Sequence, residues 1–288
     1  MRIPNPIQLA LPKGRMLDGV LRLLDEAGCP ATLSERNYRV QLPLDGVSTK
    51  LLKPQGIVEM LAAGRRDIGF AGADWVAELG ADLTLLLDTG LNPVQVVAAA
   101  PEFILENNRL PDRELVVASE YARITQNWMK ERGVQGTFVR SWGATEVLPP
   151  EDADVIVDNT ATGSTLRANR LEVVETLMTS STCLYANPRA LECPEVRERA
   201  ETLVLLLESV LNSRKRSMVE LNAGNDVLET VLELLPCMRE PTLAPLRGGT
   251  ATSVKAAVPK RDIVRLIPQL KAAGASDIVV MPIGQIVA

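Results

Sequence analysis

The densest chemistry in the sequence lies in Asp158-Asn159-Thr160-Ala161-Thr162-Gly163-Ser164-Thr165. It follows the apolar run Val155-Ile156-Val157 and leads into Leu166-Arg167-Ala168-Asn169, which reads as a helix. A strand ending in such a turn at a helix start offers an anion backbone N–H groups and the positive end of the helix dipole. Gly163 lets the backbone approach closely, and the hydroxyls of Thr160, Thr162, Ser164 and Thr165 add donors. Asp158 cannot bind a phosphate, but its carboxylate can accept bonds from sugar hydroxyls or hold a magnesium ion. Phosphate donors beside a carboxylate suit a phosphorylated sugar better than free phosphate. Ser and Thr also serve as ordinary helix caps. Four hydroxyls with Gly and Asp at a strand end favour the anion site.

Three smaller groups accompany this turn. Lys13-Gly14-Arg15 places two cations about a glycine at the tip of the first apolar run, where they could meet a triphosphate or pyrophosphate; a solvated helix start explains them equally well. Asp74, in Gly72-Ala73-Asp74, occupies a matching position after another strand, as a ligand or as an N-cap. Glu146, in Gly143-Ala144-Thr145-Glu146, stands within reach of the same cleft.

Composition narrows the mechanisms. The 288-residue chain contains no histidine, so no imidazole base and almost no zinc-hydrolase site is available. Chemistry must rest on carboxylates, Lys and Arg, hydroxyls, backbone dipoles or a hard metal ion. A net charge of -5 argues against a nucleic-acid partner. The four cysteines, Cys29, Cys183, Cys193 and Cys237, show no C-x-x-C spacing and fit a reducing cytoplasm. No apolar run approaches signal-peptide or membrane-span length, so a cytoplasmic protein without a membrane partner is expected.

The elements that must position these groups read as alternating strands and helices, hence an α/β fold with a largely parallel sheet. Strands are predicted at Ile7–Leu11, Asp67–Phe70, Val96–Ala99, Leu115–Ala118, Phe138–Val139, Asp154–Val157 and Thr182–Ala186. Helices are predicted from Leu17 to Gly28, from Ile57 to Gly64, after Asp74, and over Ala122–Arg132. Residues 101–180 read as a second lobe (II) inserted into a first (I) of residues 1–100 and 181–213, with the chain crossing back near Thr179-Ser180-Ser181. Two such lobes leave a cleft at their strand C-termini. A long helix around Val196–Leu211 follows. Residues 214–288 read βαββαβ, the ferredoxin-like order.

Taken together these segments resemble the long form of ATP phosphoribosyltransferase, the first enzyme of histidine biosynthesis, over essentially the whole chain. The resemblance rests on Leu11-Pro12-Lys13-Gly14-Arg15, Asp67-Ile68-Gly69-Phe70-Ala71-Gly72-Ala73-Asp74, Gly143-Ala144-Thr145-Glu146, and Asp154 to Asp158 followed by Thr162-Gly163-Ser164-Thr165-Leu166. Glu240-Pro241-Thr242-Leu243-Ala244-Pro245-Leu246 and Leu270 to Ala275 add to it. It implies a two-lobed core like the periplasmic binding proteins with a C-terminal regulatory domain. It also implies transfer of the phosphoribosyl group of phosphoribosyl pyrophosphate to N1 of ATP, with Mg2+ neutralising the leaving pyrophosphate. By the same resemblance Asp158 and Lys13 are catalytic. Asp158 with Thr160, Ala161, Thr162, Gly163, Ser164 and Thr165 binds phosphoribosyl pyrophosphate, and Asp158 is the metal contact. Lys13, Gly14, Arg15, Asp74 and Glu146 face ATP. Histidine would inhibit at Asn222, Met238, Glu240 and Thr242 in a homo-oligomer, dimer to hexamer. The chain departs from the family where arginines are common, at Gln55 and Gln95, and at Asn222, where an acid is common. A phosphoribosyltransferase with another base as acceptor, a regulatory subunit without catalysis, and a non-enzymatic two-lobe solute-binding module are the competing readings.

Overall fold

A computed structural model describes residues 6–33 and 40–287. In chain order the elements are β1 (Ile7–Pro12), α1 (Arg15–Glu26), β2 (Thr32–Leu33), β3 (Val40–Gln41), β4 (Val47–Leu52), α2 (Pro54–Ala62), β5 (Ile68–Gly72), α3 (Ala73–Leu79), β6 (Thr84–Pro101), β7 (Leu115–Ser119), α4 (Ala122–Arg132), β8 (Gly136–Arg140), β9 (Val155–Thr160), α5 (Ser164–Ala168), β10 (Leu171–Ala186), α6 (Pro194–Arg214), β11 (Arg216–Gly224), α7 (Leu228–Leu234), β12 (Thr242–Pro245), β13 (Ala251–Pro259), α8 (Ile263–Ala272) and β14 (Ser276–Pro282). They form two compact units. One holds the chain up to Arg22 and from Cys29 to Glu201; the other holds Leu23–Gly28 and the chain from Thr202 onward.

The first unit is built on an eight-stranded sheet in the order β4-β1-β5-β10-β6-β9-β7-β8. Each half contains a parallel trio, β4-β1-β5 and β9-β7-β8. The centre is antiparallel, because β10 pairs antiparallel with β5 and β6, and β6 with β9. The expected largely parallel sheet is therefore parallel only on its flanks. The apolar runs at Val96–Ala99 and Thr182–Ala186 are the ends of strands of 18 and 16 residues. Their polar stretches, around Asp88-Thr89-Gly90 and Glu172 to Ser181, resemble loops in sequence. Register shifts between Val173 and Glu175, Thr176 and Met178, and Ser180 and Thr182 let the pair twist through both halves.

Two further boundaries move. The strand read as Asp154–Val157 runs to Thr160, so Asp158, Asn159 and Thr160 belong to β9 and the turn itself is only Ala161–Gly163. The following helix is five residues long, which makes its dipole a weak contributor compared with the loop's own N–H groups. Strands β2, β3 and β4 have no counterpart in the sequence reading.

Strands buried on both faces need continuous apolar runs, and β5 is buried throughout. Gly69 is required there: a Cβ would lie 2.8 Å from Ile57 Cγ2 and 3.0 Å from Ala10 Cβ. The second unit has the sheet order β12-β13-β11-β14, antiparallel throughout. Its core joins Val219, Leu221, Val254, Ala256 and Val258 to Val231, Leu266 and Leu270 of α7 and α8, the ferredoxin-like arrangement.

Packing at Gly69 gives a paired prediction. Gly69→Val overfills the β1–β5–α2 contact and destabilises the first unit by about 1–3 kcal/mol, read as a lowered thermal transition. Gly56→Ala, in the first turn of α2 with nothing within 4 Å of the added Cβ, leaves the transition unchanged or raises it slightly. Equal transitions for the two variants would contradict this packing.

Candidate active site

The two parallel trios run in opposite directions, and their C-terminal ends face each other across the middle of the β6–β10 pair, where Gly72 meets Thr182 and Thr160 meets Gln95. There β1, β4 and β5 bring Lys13, Lys53 and Asp74, and β7, β8 and β9 bring Glu120, Trp142 to Glu146, and Asp158 to Thr165. A cleft of about 160 Å³ is lined by Lys13, Arg15, Asp74, Asn92, Asn159 and Ser180, among others. It brings together the two cations and Asp74 that the sequence singled out. Arg15 is exposed at the head of α1, and its carbonyl accepts a bond from the Asn92 amide at 3.4 Å. Lys13 is fixed through its backbone, whose N–H donates to the Leu52 carbonyl at 2.8 Å.

Asp74 is neither an N-cap nor an exposed ligand. Gly72 occupies the cap position of α3, and Asp74 is 5% exposed. Its Oδ2 accepts the Tyr121 hydroxyl at 2.6 Å, and its Oδ1 accepts the Ser180 hydroxyl at 2.7 Å. Ser180 Oγ in turn accepts the Asp74 backbone N–H at 3.0 Å, and the Asn159 amide donates to Tyr121 Oη at 3.0 Å. Burial first, and then the Asp74 charge, push the Tyr121 phenol upward, so it remains a donor. Glu78, also buried, accepts the backbone N–H groups of Arg123 and Ile124 at 3.1 and 3.0 Å, capping α4 from α3. Neither Tyr121 nor Ser180 reads as a site residue in sequence: a lone aromatic before a helix reads as core, and Ser180 reads only as part of the crossing between lobes.

The loop after β9 is stiffened from within. Gly163 N–H donates to Thr160 Oγ1 at 2.9 Å, Thr162 Oγ1 donates to Ser164 Oγ at 3.0 Å, and Arg167 Nη2 donates to the Thr162 carbonyl at 3.0 Å. Gly163 sits at φ +70°, which L side chains rarely adopt. Among the described residues, no protein acceptor meets the N–H groups of Thr162, Ser164 or Thr165. Such exposed N–H groups, with hydroxyls beside them and the Arg167 guanidinium at the rim, form an anion cradle. Arg167 was not singled out in the sequence.

Asp158 is half-buried on β9. Its carboxyl is pushed up to about 6 from the usual 3.8, chiefly by burial, against the Asn159 backbone N–H that lowers it and with the charges of Glu146 and Glu120 raising it further. Glu146 lies in the 3₁₀ turn Thr145–Val147. Among the described residues no three carboxylates or thiols converge as a metal cage. That donor set still fits magnesium, which usually takes one or two carboxylates and completes its shell with substrate phosphates and water.

The four expected inhibitor residues are not gathered into one pocket. Asn222 and Thr242 lie on the sheet face away from α7 and α8, separated by β13. The Asn222 amide donates to Asp277 Oδ2 at 2.9 Å, so a carboxylate stands beside Asn222. Met238 lines a separate cavity with Lys215, Arg216, Lys260 and Arg261. Glu240 is exposed. Gln55 lies in the first turn of α2, and Gln95 is exposed on β6 opposite Thr160.

The raised Asp158 value fixes the sign of a stability effect. A carboxyl that titrates higher in the folded than in the unfolded chain contributes stability below pH 3.8 that is lost as pH rises through about 6. Asp158→Asn should therefore raise the thermal transition of the free protein at pH 8, by up to about 2–3 kcal/mol, with the gain fading toward pH 4. A variant less stable than wild type at pH 8 would contradict this electrostatic picture.

A family profile described as ATP phosphoribosyltransferase matches residues 53–209, and one described as the HisG C-terminal domain matches residues 213–285. The chain is 34% identical over 277 residues to the ATP phosphoribosyltransferase of Chlorobium phaeovibrioides, covering 94% of each. It is 33% identical over 289 residues to that of Pelotomaculum thermopropionicum, covering 98% of this chain and 99% of the relative. A solved structure described as the ATP phosphoribosyl transferase (HisG:HisZ) complex from Thermotoga maritima is similar with a TM-score of 0.63 and 25% identity, over 72% of this chain and 98% of that one. The chain thus belongs to the ATP phosphoribosyltransferase family, in the long form that carries the C-terminal domain.

Proposed function

We propose how the residues at this edge divide the work of the family's reaction, the transfer of a phosphoribosyl group from phosphoribosyl pyrophosphate to ATP. The turn Thr160–Thr165 holds the 5-phosphate on its open N–H groups and hydroxyls. Asp158 accepts the ribose hydroxyls. Lys13 and Arg15 face the phosphates at the opposite wall, with Gly14 keeping that wall low. Glu146 reaches the acceptor side, and Asp74, through Tyr121 and Ser180, fixes the wall from behind. The observation that carries this reading is the adjacency of a half-buried, destabilised carboxylate and an open set of N–H donors at the end of β9.

In the transfer, the bond between ribose C1 and the pyrophosphate oxygen breaks, and the N1 lone pair of adenine forms the new bond to C1. Pyrophosphate leaves with the electron pair. No strong base is required, which suits a chain without histidine. The protein contributes positioning and charge complementarity to an oxocarbenium-like state. Asp158 would help hold a magnesium ion, which when bound would supply neutralisation of the leaving group.

The division of the chain follows: residues 1–100 with 181–213, and 101–180, act as the catalytic lobes, and 214–288 as a regulatory domain. In that domain the surface around Asn222 and Thr242 would respond to histidine, with Asp277 supplying the carboxylate that pairs the amino group, while Met238 and Glu240, which lie away from it, would contribute from another copy of the chain. A homo-oligomer in the cytoplasm, dimer to hexamer, is the working form. Among the described residues no helix is long and apolar enough to cross a membrane.

Protein mixed with magnesium, ATP and phosphoribosyl pyrophosphate should form the adduct, followed by its absorbance. Asp158→Ala and Thr162→Ala should each lower turnover at least about tenfold, roughly 1.4 kcal/mol of transition-state stabilisation. Wild-type turnover in both variants would remove the site assignment, and product with a base other than ATP would favour a different acceptor. Calorimetric titration with histidine to millimolar concentration should give a saturable heat that Asp277→Ala abolishes. No heat with the wild-type protein would remove the inhibitor site.

A further inference from the structure

The transfer as described leaves Trp142 without a task. It is 85% exposed, whereas Trp is highly buried on average. The backbone beneath it is anchored. Ser141 and Thr145 are buried, their hydroxyls are 2.7 Å apart, and Ser141 N–H donates to the Ser119 carbonyl at 3.1 Å. Between them Gly143 and Ala144 take left-handed conformations at φ +104° and +48°. One face of the indole is covered by Arg140, whose guanidinium carbon is 5.0 Å from the ring centroid, an attractive cation–π geometry. An exposed ring on a fixed base, with a cation behind it, is built to receive a flat partner on its other face.

The position suits one partner. The loop leaves the C-terminal end of β8, which runs parallel to β7, itself parallel to β9. Neighbouring strands lie about 4.8 Å apart, so the ends of β8 and β9 are about 10 Å apart, roughly the width of a nucleoside. Gly143 abuts Glu120, whose Oε1 would lie 3.9 Å from an added Cβ. Glu120 and Glu146 in turn both act on Asp158. A ribose at Asp158 therefore has Trp142 at the far rim of the same edge.

We propose that Trp142, backed by Arg140, is the stacking platform for the purine ring of the acceptor nucleotide, so that the loop from Ser141 to Glu146 selects an aromatic base rather than a bare polyphosphate. This inference rests on the placement of the sugar phosphate at Asp158 to Thr165. ATP should quench the tryptophan emission of the wild-type protein, and inorganic tripolyphosphate should not. Trp142→Phe should lose the quench while keeping KM for ATP within about threefold. Trp142→Ala should raise KM for ATP about tenfold and leave KM for phosphoribosyl pyrophosphate unchanged, matching the typical strength of base–aromatic stacking. An ATP quench that persists in Trp142→Phe, an equal quench by tripolyphosphate, or an unchanged KM for ATP in Trp142→Ala would overturn the platform. The quench is read without turnover, so an inactive protein that still shows it would count against the transfer reading alone.

Discussion

The catalytic unit depends on one contact pattern, the antiparallel pairing of β6 and β10 through the middle of the sheet. Each strand runs through both halves, so the two parallel trios are parts of one hydrogen-bonded surface. Ser180, on β10, then holds Asp74 at the head of α3, and Asp74 holds Tyr121 at the head of α4. A buried carboxylate costs several kcal/mol unless it is paired, and here both of its oxygens are used. The result is a cleft wall fixed by three separate segments, with Asn159 joined to it from β9.

Electrostatics then separate the two ends of the site. Donors collect around Thr160–Thr165 and at Lys13 and Arg15. Carboxylates collect at Asp158, Glu146 and Glu120. Burial chiefly, with the charges of Glu146 and Glu120 adding to it, pushes the Asp158 carboxyl up to about 6. In the proposed reading, sugar hydroxyls and a cation would offset that cost on binding.

Much of this was readable from sequence, for identifiable reasons. Helix α4 runs from Ala122 to Arg132 because the apolar spacing and the left-handed Gly133 are both local signals. The βαββαβ unit and the loop of hydroxyls about Gly163 are local too. The long strands were not legible, because Asp88 to Gly90 is polar, Glu172 to Ser181 mixes polar and apolar residues without a clear period, and their pairing is set by partners roughly 70 to 100 residues away. Asp74 was noticed but its task was not, since Tyr121 and Ser180 lie 47 and 106 residues from it in sequence. Asn222, Met238, Glu240 and Thr242 were grouped by the family resemblance, which carries no geometry. Asn222 pairs with Ser253, whereas Met238 N–H donates to the Ala257 carbonyl, four residues along β13.

Substrate should ionise a carboxyl, Asp158, which the fold holds partly protonated near pH 6. Binding of magnesium and phosphoribosyl pyrophosphate measured calorimetrically at pH 6, in buffers of different ionisation enthalpy, reads this directly. With Asp158 titrating near 6, about half a proton per site should be released beyond that released by the Asp158→Asn protein. Equal proton release by the wild-type and Asp158→Asn proteins, with substrate binding retained, would contradict the account.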